Sequence, residues 1–168
     1  MSNLQMMLAL GAMIILTLTI IRINRTSLET EDVFYDSGFG ILANSLATSI
    51  IEEASRKHFD STTDTMWVND LSLLTAPGAS LKTEAGEDPK DITTFNDFDD
   101  FNGYTRVDSS MPSAPFKIEC KVGYVQEANP DVEVNQKTWH KKISVMVTSE
   151  YMRDTIRQRS VFSYWSFR

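Results

Sequence analysis

At 168 residues and a formal net charge of −7, the chain is sized for one domain, and its 16 basic residues form no run suited to a nucleic-acid surface. A single cysteine, Cys120, excludes an intramolecular disulfide. Charge is unevenly spread, since no charged side chain precedes Arg22.

The first predicted element is the apolar opening, MSNLQMMLALGAMIILTLTIIRINR. Between Met6 and Ile21 only Thr17 and Thr19 carry polar side chains. Counted from Leu4 to Ile23 the stretch reaches the roughly 20 residues that a helix needs to cross a bilayer core. It lacks what a secretory signal peptide requires: no Lys or Arg lies ahead of it, and no small-x-small cleavage site follows Ile21. Residues 1–25 therefore read as a membrane-length helix.

Residues 26–60 continue the helix in a different style. Phe39, Leu42, Leu46, Ile50 and Ala54 recur at three- and four-residue spacing, the mark of one apolar face. Glu29, Glu31, Asp32, Glu52, Glu53, Arg56 and Lys57 occupy polar positions. Gly38 and Gly40 each cost about 1 kcal/mol relative to Ala in a helix, which predicts a bend or loosened turn there.

Residues 61–168 form the predicted head. From 61 to 115 the sequence is rich in Thr, Ser, Asp, Pro and Gly, with TAPGAS and EAGEDPKD as turn-forming pieces, so irregular structure with one or two short strands is expected. In PFKIECKVGYVQ, Phe116, Ile118, Cys120, Val122 and Tyr124 alternate with more polar residues, as do Ile143, Val145 and Val147 in KKISVMVTSEYM. The polar stretch EANPDVEVNQKTWH between them reads as a loop. A third strand is placed in TIRQRSVFSYWSF on propensity. A long helix followed by an antiparallel meander is an α+β fold.

The richest chemical stretch is FNDFDDFNGY. Asp97, Asp99, Asp100 and Asn102 gather oxygen ligands ahead of Gly103, which makes them a candidate calcium set, since calcium takes six to eight oxygens from flexible acidic loops. Phe101 stands where a further ligand would be wanted. The plainer reading has Phe95, Phe98, Phe101 and Tyr104 pinning the loop to the head while the acids face water. His58, beside Arg56 and Lys57, reads as a helix-end cap, and His140 as the entrance to a strand. With only these two histidines and one cysteine, no zinc site is expected, and Cys120 reads as a small buried side chain. Phe162, Tyr164, Trp165 and Phe167 are expected to complete the core. No G-x-S-x-G, H-E-x-x-H, P-loop or dinucleotide motif is present, so no enzyme is expected.

Taken together, Gln5, the apolar segment, its amphipathic continuation, KHFDS, FNDFDDFNGY and the terminal strand–loop–strand pattern resemble type IV pilin-like proteins. The resemblance is to minor pilins and pseudopilins, including those of the mannose-sensitive haemagglutinin type, and covers most of the chain. It implies a long N-terminal helix packed on an antiparallel head, insertion in the inner membrane before assembly, and burial of the apolar half among copies of the chain in a surface filament of the bacterial envelope. Leu8, Met13, Ile14 and Leu18 would pack in the filament core, with Gly11, flanked by Ala9 and Ala12, allowing close helix approach. Gln5 falls where the family carries glutamate; it can hydrogen-bond to an adjacent subunit but cannot pair as a charge with a neighbour's N-terminus. The family's basic leader is not visible, so Met1 is either a mature N-terminus or the start of a chain that uses none. Arg22 and Arg25 alone would place the head in the cytoplasm; the resemblance places it outside.

The expected function is thus a structural, self-assembling filament subunit without cofactor, calcium apart, and without nucleic-acid partners. One competing expectation is a minor or tip pseudopilin of a pilus or type II secretion system, alongside other pilin-like subunits. The other is a single-pass anchored protein whose head binds a partner.

Overall fold

The computed structural model describes residues 2–110 and 114–167, excepting the side chains of residues 32, 166 and 167. Met1, and with it the question of the mature terminus, lies outside the described residues, as does the Phe167 side chain. The fold is α+β: one long helix, then a five-stranded antiparallel sheet. Two compact units divide the chain, residues 1–38 and 39–168.

The first helix, α1, runs from Asn3 to Ser55. The helix runs through Gly38 and Gly40 without a stop, for both residues are helical. Their cost in propensity is small against the cooperative gain of propagating an existing helix. In the first unit the helix has no packed face: every large apolar side chain from Leu4 to Ile23 is more than half exposed. Thr17 and Thr19 return their hydroxyls to the carbonyls of Met13 and Ile15, each at 2.8 Å, so neither presents a free donor.

In the second unit, residues 39–55 of α1 pack on the sheet. Ala43, Ala47, Ile50 and Ala54 are buried, flanked by the half-buried Phe39, Leu42, Leu46 and Ile51. The buried stripe is therefore centred on the alanines. Phe39 meets Phe116 edge-on and Tyr151 at a tilt. Gln158 bonds Asn44 at 2.6 Å and Thr48 at 3.2 Å.

The strands are β1 (Thr105–Asp108), β2 (Phe116–Gln126), β3 (Asn129–Glu133), β4 (His140–Thr148) and β5 (Ile156–Ser163). Their order is β1-β2-β4-β5, with β3 paired to the end of β2. The central pair sets Ile118 against Val147, Cys120 against Val145 and Val122 against Ile143, so the alternating apolar residues of both strands line one buried face. Cys120 is buried, and burial pushes its thiol up to about 12. The stretch 127–140, read as a loop, contains β3 and the first residue of β4. Within this hairpin the Glu133 side chain lies over Gly123, where an added Cβ would sit 3.0 Å from it and the side chain would have to give by a few tenths of an ångström.

Between α1 and β1 the chain holds only the one-turn helix α2 (Ser61–Thr65) and short 3-10 turns. Irregular backbone of this length must find partners for its polar groups elsewhere. Asp60 caps α2 in a reciprocal capping box with Thr63. His58 is not a helix cap: its backbone pairs with Asn96 and Phe98, and its side chain lies 3.1 Å from Asp64. The imidazole is engaged with Asp64 and not with the carbonyls of the last turn of α1, which ends at Ser55. His140 does open β4, with Nδ1 2.6 Å from the Ser163 hydroxyl. The C-terminal aromatics divide: Phe162 and Tyr164 are buried, while Trp165 is 42% exposed. Trp139 stacks on Tyr164 at 5.2 Å.

Candidate functional site

Two features of this molecule are more than fold. One is the uncovered apolar helix, and the other a set of acids inside the head.

The assembly residues read from the sequence all lie in the first unit. Leu8, Met13, Ile14 and Leu18 are exposed, and no Cβ added at Gly11 would meet any atom within 4 Å. Gln5 Oε1 accepts the backbone N–H of Ser2 at 3.2 Å, across the first turn. The 18-residue window long and apolar enough to cross a membrane has none of its residues buried.

The acids of FNDFDDFNGY do not face water. Phe95, Phe98, Phe101 and Tyr104 are buried as expected, but Asp97, Asp99 and Asp100 are buried with them. The cause is local backbone chemistry. Asp97 Oδ1 accepts the N–H groups of Asp99 (2.6 Å) and Asp100 (3.3 Å), while Asp100 Oδ2 accepts those of Asn96 (2.9 Å) and Asp97 (3.0 Å). These reciprocal bonds fold the acids inward over a 3-10 turn, Asp99–Phe101. Gly103, at φ +84°, then turns the chain onto β2, where its N–H reaches the Cys120 carbonyl at 3.0 Å.

The four candidate calcium ligands part company here. Asp99 turns to Lys141, whose ammonium lies 2.7 and 2.8 Å from its two oxygens. Asn102 is spent on backbone, donating to Leu81 O at 2.8 Å and accepting from Val122 N at 3.0 Å. Asp97 and Asp100 remain together and are joined by Glu84, which the sequence reading missed. One ligand oxygen from each of Glu84, Asp97 and Asp100 falls within 4.8 Å of the others. The structure thus groups Asp97 and Asp100 with Glu84, while Asp99 meets the Lys141 ammonium and Asn102 two backbone groups.

Lys141 is the centre of the adjoining network and is fully buried. Its ammonium donates to Phe59 O, Asp60 Oδ2 and Asp99 at 2.8 Å each, which uses all three of its protons. It also lies over the rings of Phe59 and Tyr124, at 4.5 and 5.1 Å from their centroids. Asp60 holds a further set of bonds from Thr62 and Thr75.

The charges follow from this geometry. Burial works to raise the Asp60 carboxyl, but Lys141 and the Thr62 and Thr75 donors outweigh it and hold Asp60 below its usual range. For Asp97, burial and the neighbouring Asp99 and Asp100 charges push the carboxyl up to about 8. Asp99 rises to about 7, again chiefly by burial, because the ammonium it touches is shared with Asp60. Asp100 rises as well, by burial and the nearby Glu87, against the two backbone donors. Glu84 is raised by burial and by Glu87.

A pH dependence follows. A carboxyl raised in the native state keeps a proton that the unfolded chain releases above about pH 4, so each such group destabilises the fold by about 1.4 kcal/mol per pH unit until its native pKa is passed. In metal-free solution the head is expected to lose stability as pH rises from 4.5 to 8, the window set by Asp97 and Asp99. Asp60, held low, acts oppositely, and its contribution is lost only at more acid pH. Thermal unfolding of the full chain in detergent with chelator measures this; a midpoint that climbs between pH 5 and 8 would contradict the assignment.

No protein-family model matches the chain, and no curated protein or solved structure gives a significant match.

Proposed function

We propose that this chain is the structural subunit of a type IV pilus-like surface filament, assembled through its apolar N-terminal helix. The observation that carries the reading is the complete exposure of that helix: its large apolar side chains from Leu4 to Ile23 all stand open. Burying each is worth about 1.5–3 kcal/mol, so the segment as a whole does not remain in water. Lipid can cover it before assembly, and other copies of the same helix can cover it afterwards, with Ala9, Gly11 and Ala12 admitting close approach. The continuation of the same helix into the head as the packed residues 39–55 favours a subunit over a simple anchor, since an anchor needs no such continuity. The resemblance of Gln5, KHFDS and FNDFDDFNGY to pilin-like proteins points the same way. On this reading the protein resides in the bacterial inner membrane until it joins an extracellular filament, and it catalyses no reaction.

Material sheared from cells, viewed by electron microscopy and identified by mass spectrometry, tests this. Thin filaments made mainly of this chain are the expected result. The chain as a trace component beside other pilin-like subunits would move it to a minor or tip position. Single chains retained in the membrane would instead make it an anchored binding protein.

A further inference from the structure

The buried acids of the head present carboxyl oxygens that no donor among the described residues satisfies. Asp97 and Asp100 are 0% and 1% exposed. Each has one oxygen held by backbone N–H groups, and the other, Oδ2 of Asp97 and Oδ1 of Asp100, has no donor partner among the described residues. Both belong to the carboxylates that converge with Glu84. Glu87 adds a fourth acid: it accepts the Glu84 N–H at 2.8 Å and stands beside Asp100. The buried Lys141 has no proton left to offer them, since its three bonds go to Phe59, Asp60 and Asp99.

We propose that Glu84, Asp97 and Asp100 bind a calcium ion that ties the turn at 84–87 to the acidic turn at 97–100 within the irregular segment 61–104. The donors are all carboxylate oxygens, the chemistry of a hard cation rather than of zinc or copper. Two oxygens on one calcium ion at 2.3–2.6 Å are at most about 5 Å apart, and one oxygen from each of these three carboxyls lies within 4.8 Å of the others. The half of the site contributed by Asp97 and Asp100 is preformed, because their backbone bonds fix both carboxyls without using the free oxygens. Glu84 comes from the turn at 84–87 and is exposed, so it provides the open side through which the ion and its remaining water ligands enter. Calcium suits such a site better than magnesium, which demands near-ideal octahedral geometry and keeps most of its water.

The test uses the full chain in detergent micelles, stripped of metal, with calcium or magnesium chloride as the probe. Calcium at 1 mM is expected to raise the unfolding midpoint by roughly 5 °C or more, and magnesium by much less. Glu84→Gln is expected to weaken calcium binding by about tenfold or more in calorimetry, while its midpoint in chelator stays at or above the wild-type value, since a repelling charge has gone. Asp97→Asn retains the acceptor that orders the turn and is expected to remove binding. Glu29→Gln, an exposed acid of the first unit, should respond to calcium as the wild type does. A wild-type midpoint indifferent to calcium would overturn the proposal. So would a shift that survives Glu84→Gln unchanged, or an equal response to magnesium.

Discussion

Replacing Lys141 with methionine is expected to be among the most damaging single changes available in the head. The substitution keeps most of the volume but leaves Asp60, Asp99 and the Phe59 carbonyl facing each other without a cation, all of them buried. Breaking a buried ion pair from one side typically costs about 3–5 kcal/mol. At the 2–4 °C per kcal/mol usual for a chain of this size, the unfolding midpoint should fall by roughly 6–20 °C. The loss is large because the network ties three distant parts of the chain together: the start of α2 through Asp60, the acidic turn through Asp99, and the sheet through Lys141. Adding Asp60→Asn and Asp99→Asn to the Lys141→Met chain should recover part of the loss, because the uncompensated charges are then gone. Equal stability of Lys141→Met and wild type near neutral pH would show that the ammonium is not what holds these carboxyls in place.

The second large effect concerns the other unit. Ile14 lies near the middle of the apolar segment and is 60% exposed. A lysine there is expected to abolish filaments while leaving the head's unfolding midpoint unchanged. A charge at the centre of a membrane-spanning helix costs about 2.5–3.5 kcal/mol on insertion scales, and in a filament core the same cost would recur in every copy. Ile14→Ala removes area without adding charge and should thin the filament yield less severely. The head is the internal control, since residues 39–168 form their own compact unit and make their core without Ile14. Filaments formed by Ile14→Lys at wild-type yield would exclude burial of this helix among its copies.

Much of the fold could be read from periodicity, and the exceptions have physical causes. β2 and β4 were legible because one face of each is buried, which writes a two-residue alternation into the sequence. β3 was not, because all five of its residues are exposed, Pro130 falls inside it, and no buried face constrains it. The alternation of β4 reaches one residue further than its aliphatic members: Lys141 shares the parity of Ile143, Val145 and Val147, which would have placed it in the core. That placement demands buried acids as partners, and Asp60, followed by STTDT, carries a capping pattern of its own. The acidic turn was legible as an oxygen-rich stretch but not in its detail. Glu84 sits among the turn residues of EAGEDPKD, with no periodic relation to Asp97, and only the folded loop brings the two together. The apolar helix was the plainest feature of the sequence, for nothing in the head is needed to recognise it.

The central claim is that this helix is covered by copies of itself. Helical reconstruction by cryo-electron microscopy of the sheared fraction addresses it most directly. The account predicts a filament whose axial density is built from residues 4–21 of neighbouring copies, packed at the roughly 8–10 Å spacing of contacting helices, with the heads outside. A fraction containing no filament of this chain, with the apolar helix solubilised as single copies in mild detergent, would contradict it.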